Sequence, residues 1–162
     1  MKNITALFIL LLPIFTFAQW TQLGQDIDGD MEGDLFSFGI SLDAAGDTMA
    51  VGATLNDDGG ENAGKFRILD WNGSAWVQRG AAILGETGDF AGEGVSLTND
   101  GNTVAVGFQN ATNAIGRPGA GIVRVFDWDG TNWTQRGNDM DGEGNPAGFI
   151  DGFGSGLSIN GD

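Results

Sequence analysis

The chain has 162 residues, a length typical of one domain. Its 22 acidic and 7 basic residues give a net charge of −15, which excludes nucleic acid as a partner because the phosphate backbone would be repelled. Cysteine and histidine are both absent, which excludes disulfides, Cys/His zinc sites and Ser-His-Asp or Cys-His catalysis within this sequence. We therefore expect no enzyme activity from this segment, an expectation that does not extend to any sequence after residue 162.

Residues 1–18 have the layout of a secretory signal peptide. Lys2 precedes an apolar run that ends at Ala18, and small residues lie at the two positions that a signal peptidase reads before Gln19. The run is too short for a membrane anchor, and no later stretch is long and apolar enough to cross a bilayer. We predict a secreted or cell-surface protein without a transmembrane segment in this chain, whose mature part covers residues 19–162.

A repeat fills the mature part of the sequence. A Trp-x-Gln-x-Gly motif occurs at residues 20–24, 76–80 and 133–137, so that its first residues are 56 and 57 positions apart. Each copy is followed by a Gly-apolar-Ser-apolar motif, at residues 39–42, 94–97 and 156–159. Several matched positions at a nearly constant period indicate a repeat architecture. The repeat units cover about residues 20–75, 76–132 and 133–162.

Each unit is predicted to form four short antiparallel strands. Apolar residues alternate with small or polar ones, as expected for half-buried strands. Asn72-Gly73 and Asp129-Gly130 favour tight hairpin turns, and the 29 glycines of the chain oppose helices. Four strands per unit are typical of a β-propeller blade, which buries its faces against its neighbours. We predict an all-β chain of about two and a half blades, incomplete at Gly161-Asp162, in which the strand at Trp20 completes a further blade.

The units resemble FG-GAP repeats. Phe38-Gly39 and Phe153-Gly154 are similar to the FG element, and Gly52-Ala53-Thr54 is similar to GAP without its proline. Such repeats form the propeller of integrin α-subunits and occur in secreted bacterial surface proteins. The resemblance implies a non-catalytic β-propeller module for adhesion, ligand binding or scaffolding, with an extracellular protein or polysaccharide as its partner.

A second hypothesis is that these blades are the non-catalytic or carbohydrate-binding part of a larger secreted enzyme, such as a glycoside hydrolase. Paired carboxylates perform that chemistry, but they are too abundant here to indicate it. Further repeats and a sorting domain after residue 162 favour an adhesion module, whereas a catalytic domain favours the enzyme.

Calcium is the cofactor that we predict. The resemblance implies a calcium loop between FG and GAP, but residues 43–48 and 98–103 have too few carboxylates for an ion with six to eight oxygen ligands. Alternating carboxylates between glycines form a better candidate, at Asp26, Asp28, Asp30, Glu32 and Asp34. The alternative is a solvated acidic loop, in which Asp34, Asp89 and Asp151 cap turns through backbone N–H groups.

The five tryptophans and four of the arginines recur at fixed repeat positions. Tryptophans beside a hairpin turn favour packing between blades over stacking on sugar rings. The arginines are expected to pair with nearby carboxylates, at Arg67, Arg79, Arg124 and Arg136.

Overall fold

Residues 19–147 and 149–161 are described by a computed structural model, and the predicted signal peptide lies outside them. These residues contain strands and turns and no helix, and therefore no helix that could span a membrane. All strand pairs are antiparallel, and they form two five-stranded sheets. The all-β prediction is confirmed. The strands are β1 (Phe36–Leu42), β2 (Thr48–Ala53), β3 (Lys65–Trp71), β4 (Trp76–Gln78), β5 (Ile83–Leu84), β6 (Ala91–Leu97), β7 (Thr103–Phe108), β8 (Ile122–Trp128), β9 (Trp133–Gln135) and β10 (Met140–Asp141).

The first sheet, which we call blade 1, is a meander in the order β1-β2-β3-β4. β4 pairs with the end of β3 at Trp71, and β5 pairs with its beginning at Lys65, so that the two short strands share the outer edge. The turn between β3 and β4 is held by the Asn72 side chain, which accepts hydrogen bonds from the backbone N–H groups of Ser74 and Ala75. The Asn-Gly hairpin predicted from the sequence is therefore formed.

The second sheet, blade 2, repeats this arrangement in the order β6-β7-β8-β9, with β10 beside β8. The registers correspond residue by residue: Phe36 faces Ala53 in blade 1, and Ala91 faces Phe108 in blade 2. The four-stranded unit predicted from the sequence is thus confirmed in both complete copies. The Trp-x-Gln-x-Gly motif lies on the outer strand of a blade, so a repeat unit that begins with this motif is offset from the blade. The two sheets cover residues 36–84 and 91–141.

The main hydrophobic core lies between the two blades. Phe66 of blade 1 and Phe108 of blade 2 are fully buried and meet edge to face, with ring centroids 6.4 Å apart. Burial of each such side chain stabilises the fold by about 1.5–3 kcal/mol. The same cluster joins residues of both blades, among them Ala50, Ile68, Val95, Leu97, Val104 and Val106. The blades therefore bury their faces against each other, as the repeat predicts.

The blades touch through glycines. A Cβ added at Gly52 would collide with the carbonyl of Gly92, and one added at Gly107 would collide with the carbonyl of Gly154. We call the first strand of each blade, and the equivalent segment of the third unit, the inner strand. The inner strand of each unit therefore crosses the second strand of the preceding blade, and the two backbones are in direct contact. Such an approach excludes any side chain.

This contact corrects the register of the FG element. Gly154 lies against blade 2 as Gly92 lies against blade 1, and both have a positive φ, of 90° and 149°. Ser37 lies two residues before Gly39, as Gly92 lies two residues before Gly94. Ser37 also has a positive φ, of 66°. Phe153-Gly154 therefore corresponds to Phe36-Ser37 and not to Phe38-Gly39. The two Phe-Gly pairs differ in register already in the sequence, and Phe38-Gly39 is the approximate match because Ser37 replaces the glycine that marks this position in the other units.

The third unit continues the same pattern. Its residues 151–161 run along blade 2, where the backbone N–H of Ile159 donates to the Ser96 hydroxyl at 3.0 Å. Within the part of the chain that the structure describes, this segment pairs with no second strand.

Candidate binding surfaces

The long loops of the blades gather at one end of the sheets, which we call the loop end. Residues 54–64, which join β2 to β3, pack on residues 85–90, which lead into blade 2. Gly88 N–H donates to the Glu61 carbonyl at 2.9 Å, and Phe90 N–H donates to the Asn62 carbonyl at 3.1 Å. Residues 28–35, 109–121, 142–147 and 149–152 complete this end. The strands are joined by short turns at the opposite end, so most of the loop residues lie at the loop end.

The five predicted calcium ligands lie at and near the loop end, but they do not converge. Asp26 accepts a hydrogen bond from Gln22, and Asp34 is buried and accepts one from the Asn56 amide at 2.7 Å. Asp30 pairs with Lys65, at 2.7 Å, and with Arg67, at 3.3 Å. The backbone carbonyl of Asp28 accepts a hydrogen bond from Arg67, and the side chain of Glu32 is exposed.

Lys65 occupies the place that a cation would take beside this loop. Its ammonium is largely buried and bridges Asp30 and Asp58. The hydrogen bond from Lys65 lowers the pKa of Asp30, with a further contribution from the Arg67 guanidinium, against partial desolvation. No group of three or more carboxylates within the described ranges has the spacing of a metal site. Calcium binding at these residues stays a prediction from the sequence alone, and the pairing of Asp30 with Lys65 and Arg67 argues against it.

The equivalent position in blade 2 holds Ile122 in place of Lys65, since both residues start the third strand and face the end of the second. Without an ammonium, a cavity of about 280 Å³ opens there. Its walls include Glu86, Asp89 and Asp141 as well as Arg124, whose guanidinium makes two 3.0 Å hydrogen bonds to Asp139. The cavity wall thus contains three carboxylates besides the Asp139 that is paired with Arg124, and its other residues are uncharged.

Burial raises the pKa of Asp89, which is half-buried in this cavity. Its carboxylate accepts a hydrogen bond from the Glu86 backbone N–H at 2.9 Å, and Asp151 accepts one from Gly144 in the same way at 3.2 Å. The turn-capping role considered from the sequence therefore holds for these two residues. Asp34, by contrast, binds a side-chain amide.

A separate cavity of about 310 Å³ lies beside the acidic loop that precedes blade 1, and Lys65 does not line it. Met31, Glu32 and Asp34 form one wall, and Asp57 and Glu61 form the other. The loop end therefore has two concave sites with carboxylates in their walls, at positions of the repeat that are not equivalent.

The tryptophans serve blade packing. The Trp76 ring N–H donates to the Leu23 carbonyl at 3.2 Å, and the Trp133 ring N–H donates to the Arg79 carbonyl at 2.9 Å. Each of them also packs on the tryptophan that ends the preceding strand, with centroids 5.7 and 5.4 Å apart. The predicted role of these tryptophans between repeat units is confirmed at both places.

The repeated arginines pair with carboxylates, as expected. Arg79 lies 3.5 Å from Asp70, donates to the Gly101 carbonyl of blade 2 and stacks on Trp128 at 4.8 Å. Its counterpart Arg136 pairs with Asp127 of its own blade at 2.6 Å. Arg79 therefore links the two blades.

A groove runs beside each of these tryptophans. The first, of about 500 Å³, has Arg67, Trp76 and Gln78 in its wall, and the second, of about 310 Å³, has Arg124, Trp133 and Gln135. An indole, a guanidinium and an amide thus recur together at successive blade edges.

Two kinds of residue were missed at the sequence level. Ser41 and Ser96 each accept a hydrogen bond from the inner strand of the following unit. The serine recurs in every copy of the Gly-apolar-Ser-apolar motif, but the motif does not indicate which backbone N–H group the serine would accept a hydrogen bond from. Lys65 was missed because a single lysine in an acidic chain has no pattern.

The comparisons with known proteins agree with this geometry. Residues 27–66, which run from the acidic loop through β1 and β2 into β3, match the family model of the FG-GAP repeat. No curated protein matches the chain. The matched segment ends on the fully buried Phe66 and contains Gly39, Gly52 and Gly64, three glycines that contact blade 2. Two blades with the same strand order, a third unit begun on the same contacts and this match identify residues 27–66 as an FG-GAP repeat within an all-β chain of propeller-like blades.

Proposed function

We propose that this chain is a non-catalytic binding or scaffolding module of a secreted or cell-surface protein, and that its ligand binds at the loop end. The single observation that carries the proposal is a contrast between two repeats. Their strands, glycine contacts and serine bonds correspond, whereas their loop ends differ in charge, length and cavity. Loops that vary on a constant scaffold are typical of binding surfaces.

The loops themselves show the contrast. Residues 54–64 of blade 1 contain three carboxylates, whereas residues 109–121 of blade 2 contain none and add Arg117. The second loop is also two residues longer, as the bounds of the flanking strands show. The residues of the strands are engaged in packing between and within the blades. The polar and charged side chains that could contact a ligand are therefore concentrated in these loops.

The charge of the loop end indicates the class of ligand. Glu86, Asp89 and Asp141 surround a cavity whose counterpart in blade 1 contains a lysine ammonium. A primary ammonium or a guanidinium of a partner fits that place by charge and by size. We therefore propose a basic segment of an extracellular protein as the ligand.

The test measures binding of an immobilised oligolysine peptide to the wild-type protein and to charge variants. Glu86→Gln with Asp141→Asn removes two exposed carboxylates from the cavity wall and should weaken binding about fivefold at low salt, since each solvent-exposed charge pair contributes about 0.2–1 kcal/mol. Asp47→Asn, in the turn at the opposite end, is the matched control and should bind like the wild type. Equal affinity of all three proteins would refute the loop end as the binding site.

A second candidate function is carbohydrate binding within a larger secreted enzyme. The recurring grooves beside Trp76 and Trp133 favour it, because an aromatic face with planar polar side chains suits sugar rings. Migration in gels that contain soluble polysaccharides tests this candidate. Retardation that is lost in Gln135→Ala and kept in the charge variants would select the groove over the loop end.

A further inference from the structure

We propose that Asn72 is a site of spontaneous deamidation, at which the backbone nitrogen of Gly73 displaces the side-chain amide, and that the turn keeps its shape when an aspartate results. The inference concerns chemical modification of the turn between β3 and β4. Because β3 runs away from the loop end, this turn lies at the opposite end of blade 1, and the inference holds whatever ligand the module binds. Three observations carry it.

The first observation is an open path for the attacking nitrogen. Asn72 and Gly73 are exposed, and a Cβ added at Gly73 would meet no atom within 4 Å. The Gly73 N–H donates no hydrogen bond to any group in residues 19–147 and 149–161. Glycine also lacks the side chain that would restrict backbone rotation and crowd the attack. The Gly73 nitrogen can therefore turn towards the Asn72 carboxamide.

The second observation is that the turn polarises the carbonyl group under attack. The Asn72 Oδ1 atom accepts hydrogen bonds from the backbone N–H groups of Ser74 and Ala75, at 3.0 and 2.9 Å, and from the Ser74 hydroxyl at 2.9 Å. Attack at Cγ moves negative charge onto this oxygen, and donors that are already in place stabilise that charge, as in an oxyanion hole. The turn therefore lowers the barrier to deamidation.

The reaction balances with water as its only co-reactant. A bond forms between the Gly73 nitrogen and Asn72 Cγ, the bond from Cγ to Nδ2 breaks, and Nδ2 leaves as ammonia with the proton of the Gly73 N–H. Water then opens the resulting succinimide ring. Attack by water at the former side-chain carbon gives aspartate, and attack at the backbone carbon gives isoaspartate. The net change replaces an amide by an acid.

The third observation is that blade 2 already has an aspartate at the equivalent place. Asp129 begins the turn between β8 and β9, and its carboxylate accepts hydrogen bonds from the backbone N–H groups of Asn132 and Thr131, at 2.7 and 2.8 Å. These hydrogen bonds lower the pKa of Asp129, so such a turn favours the charged carboxylate. An aspartate formed from Asn72 would therefore keep the hydrogen bonds of its turn and add a negative charge.

A second Asn-Gly pair provides an internal reference. Asn160 is exposed and precedes Gly161, but Gly161 is fixed on blade 2. Its carbonyl accepts a hydrogen bond from the Asn99 amide at 3.0 Å, and a Cβ added at Gly161 would lie 2.7 Å from Thr98. The nitrogen next to Asn160 is thus held by its surroundings. We expect Asn160 to deamidate more slowly than Asn72 in the folded protein.

The test maps deamidation in protein that is kept at mildly alkaline pH in water enriched in heavy oxygen. Peptide mass spectrometry should show a heavy oxygen atom at position 72. It should show at least about tenfold less at Asn132, which is exposed in the matching turn but precedes Trp133, whose side chain crowds the attack. Asn160 should fall between the two. In urea the rates at Asn72 and Asn160 should converge, because unfolding removes the turn.

No labelling of Asn72, or equal labelling of Asn72 and Asn160 in the folded protein, would overturn the proposal. Ser74→Ala removes one donor to Asn72 Oδ1 and should slow the reaction there about twofold or more, with Asn160 unchanged. An unchanged rate at Asn72 would contradict the role of the turn.

Asn72→Asp imitates the product and should leave the Tm at pH 7 unchanged, because Asp129 shows that the turn accepts a carboxylate. A lower Tm of this variant would contradict the second half of the proposal. Both measurements are made without a ligand, so their outcomes are separate from that of the binding assay.

Discussion

The hydroxyl of Ser41 accepts a hydrogen bond from the backbone N–H of Leu97 at 3.0 Å, and so joins the inner strands of neighbouring blades. The same bond recurs between Ser96 and Ile159. Ser41→Ala would leave a backbone donor at the blade interface without its partner. We expect the free energy of unfolding to fall by about 1–2 kcal/mol, measured by urea denaturation.

Ser74→Ala is the matched control for this change. The Ser74 hydroxyl donates to Asn72 in an exposed turn and contacts no other blade. Its loss should change the free energy of unfolding by less than about 0.5 kcal/mol. Equal effects of the two substitutions would show that the serine bond does not hold the blades together.

Gly52 tests the direct backbone contact between blades. A Cβ at this position would collide with the Gly92 carbonyl, and backbone on both sides leaves no flexible group to move aside. We expect Gly52→Ala to lower the free energy of unfolding by about 3 kcal/mol or more, the upper range for overpacking. Thermal unfolding followed by circular dichroism measures it.

Gly46→Ala is the control for loss of a glycine without a clash. Gly46 lies in the β1–β2 turn with φ 74° and no atom within 4 Å of an added Cβ. The cost should therefore be about 1–2 kcal/mol, that of a left-handed conformation alone. A Gly52→Ala protein no less stable than Gly46→Ala would contradict the close approach of the blades.

Asp89 is predicted to oppose folding at neutral pH. Because burial raises its pKa, the folded state holds the proton more tightly than the unfolded state, and the charged carboxylate destabilises the fold above the folded pKa. Asn can still accept the Glu86 N–H bond. We expect Asp89→Asn to raise the Tm at pH 7, with a gain that shrinks as the pH falls through the folded pKa and vanishes below the unfolded value.

Asp139→Asn should behave in the opposite way. The hydrogen bonds from Arg124 lower the pKa of Asp139, so its contribution to stability is present above the unfolded pKa and is lost as the pH falls through the folded pKa. The substitution should lower the Tm at pH 7 and have little effect at the most acidic pH that the fold tolerates. Parallel pH profiles for the two variants would contradict the assignment whose expected direction is not observed, and profiles without pH dependence would contradict both.

Calcium is tested most simply by its effect on thermal stability. Asp30 is already paired with Lys65 and Arg67, and Asp34 faces Asn56, so we expect the same Tm in excess calcium and in chelator. A ligand that binds the folded state alone would raise the Tm with its concentration. A calcium-dependent rise that is lost in Asp30→Asn would restore the site predicted from the sequence.

Much of the fold could be predicted from the sequence because the determining signals are local. Alternating apolar residues, the Asn72-Gly73 turn and the recurring Trp-x-Gln strand each act over a few residues, and the structure contains all of them. Repetition extended these signals to the architecture, because a unit that cannot bury its own face must pack on its neighbour. The repeated tryptophans and arginines were understood in the same way.

The candidate sites could not be predicted in this way, since they depend on residues that are distant in the chain. Asp30 faces Lys65 and not an ion. The two residues are 35 positions apart in the sequence, and the meander of strands places them side by side. The same fold placed Ile122 at the matching position and so left an acidic cavity there. Local patterning thus determined the strands and the blades of this protein, while charge pairing across the tertiary fold decided which acidic groups are neutralised and which remain free to bind.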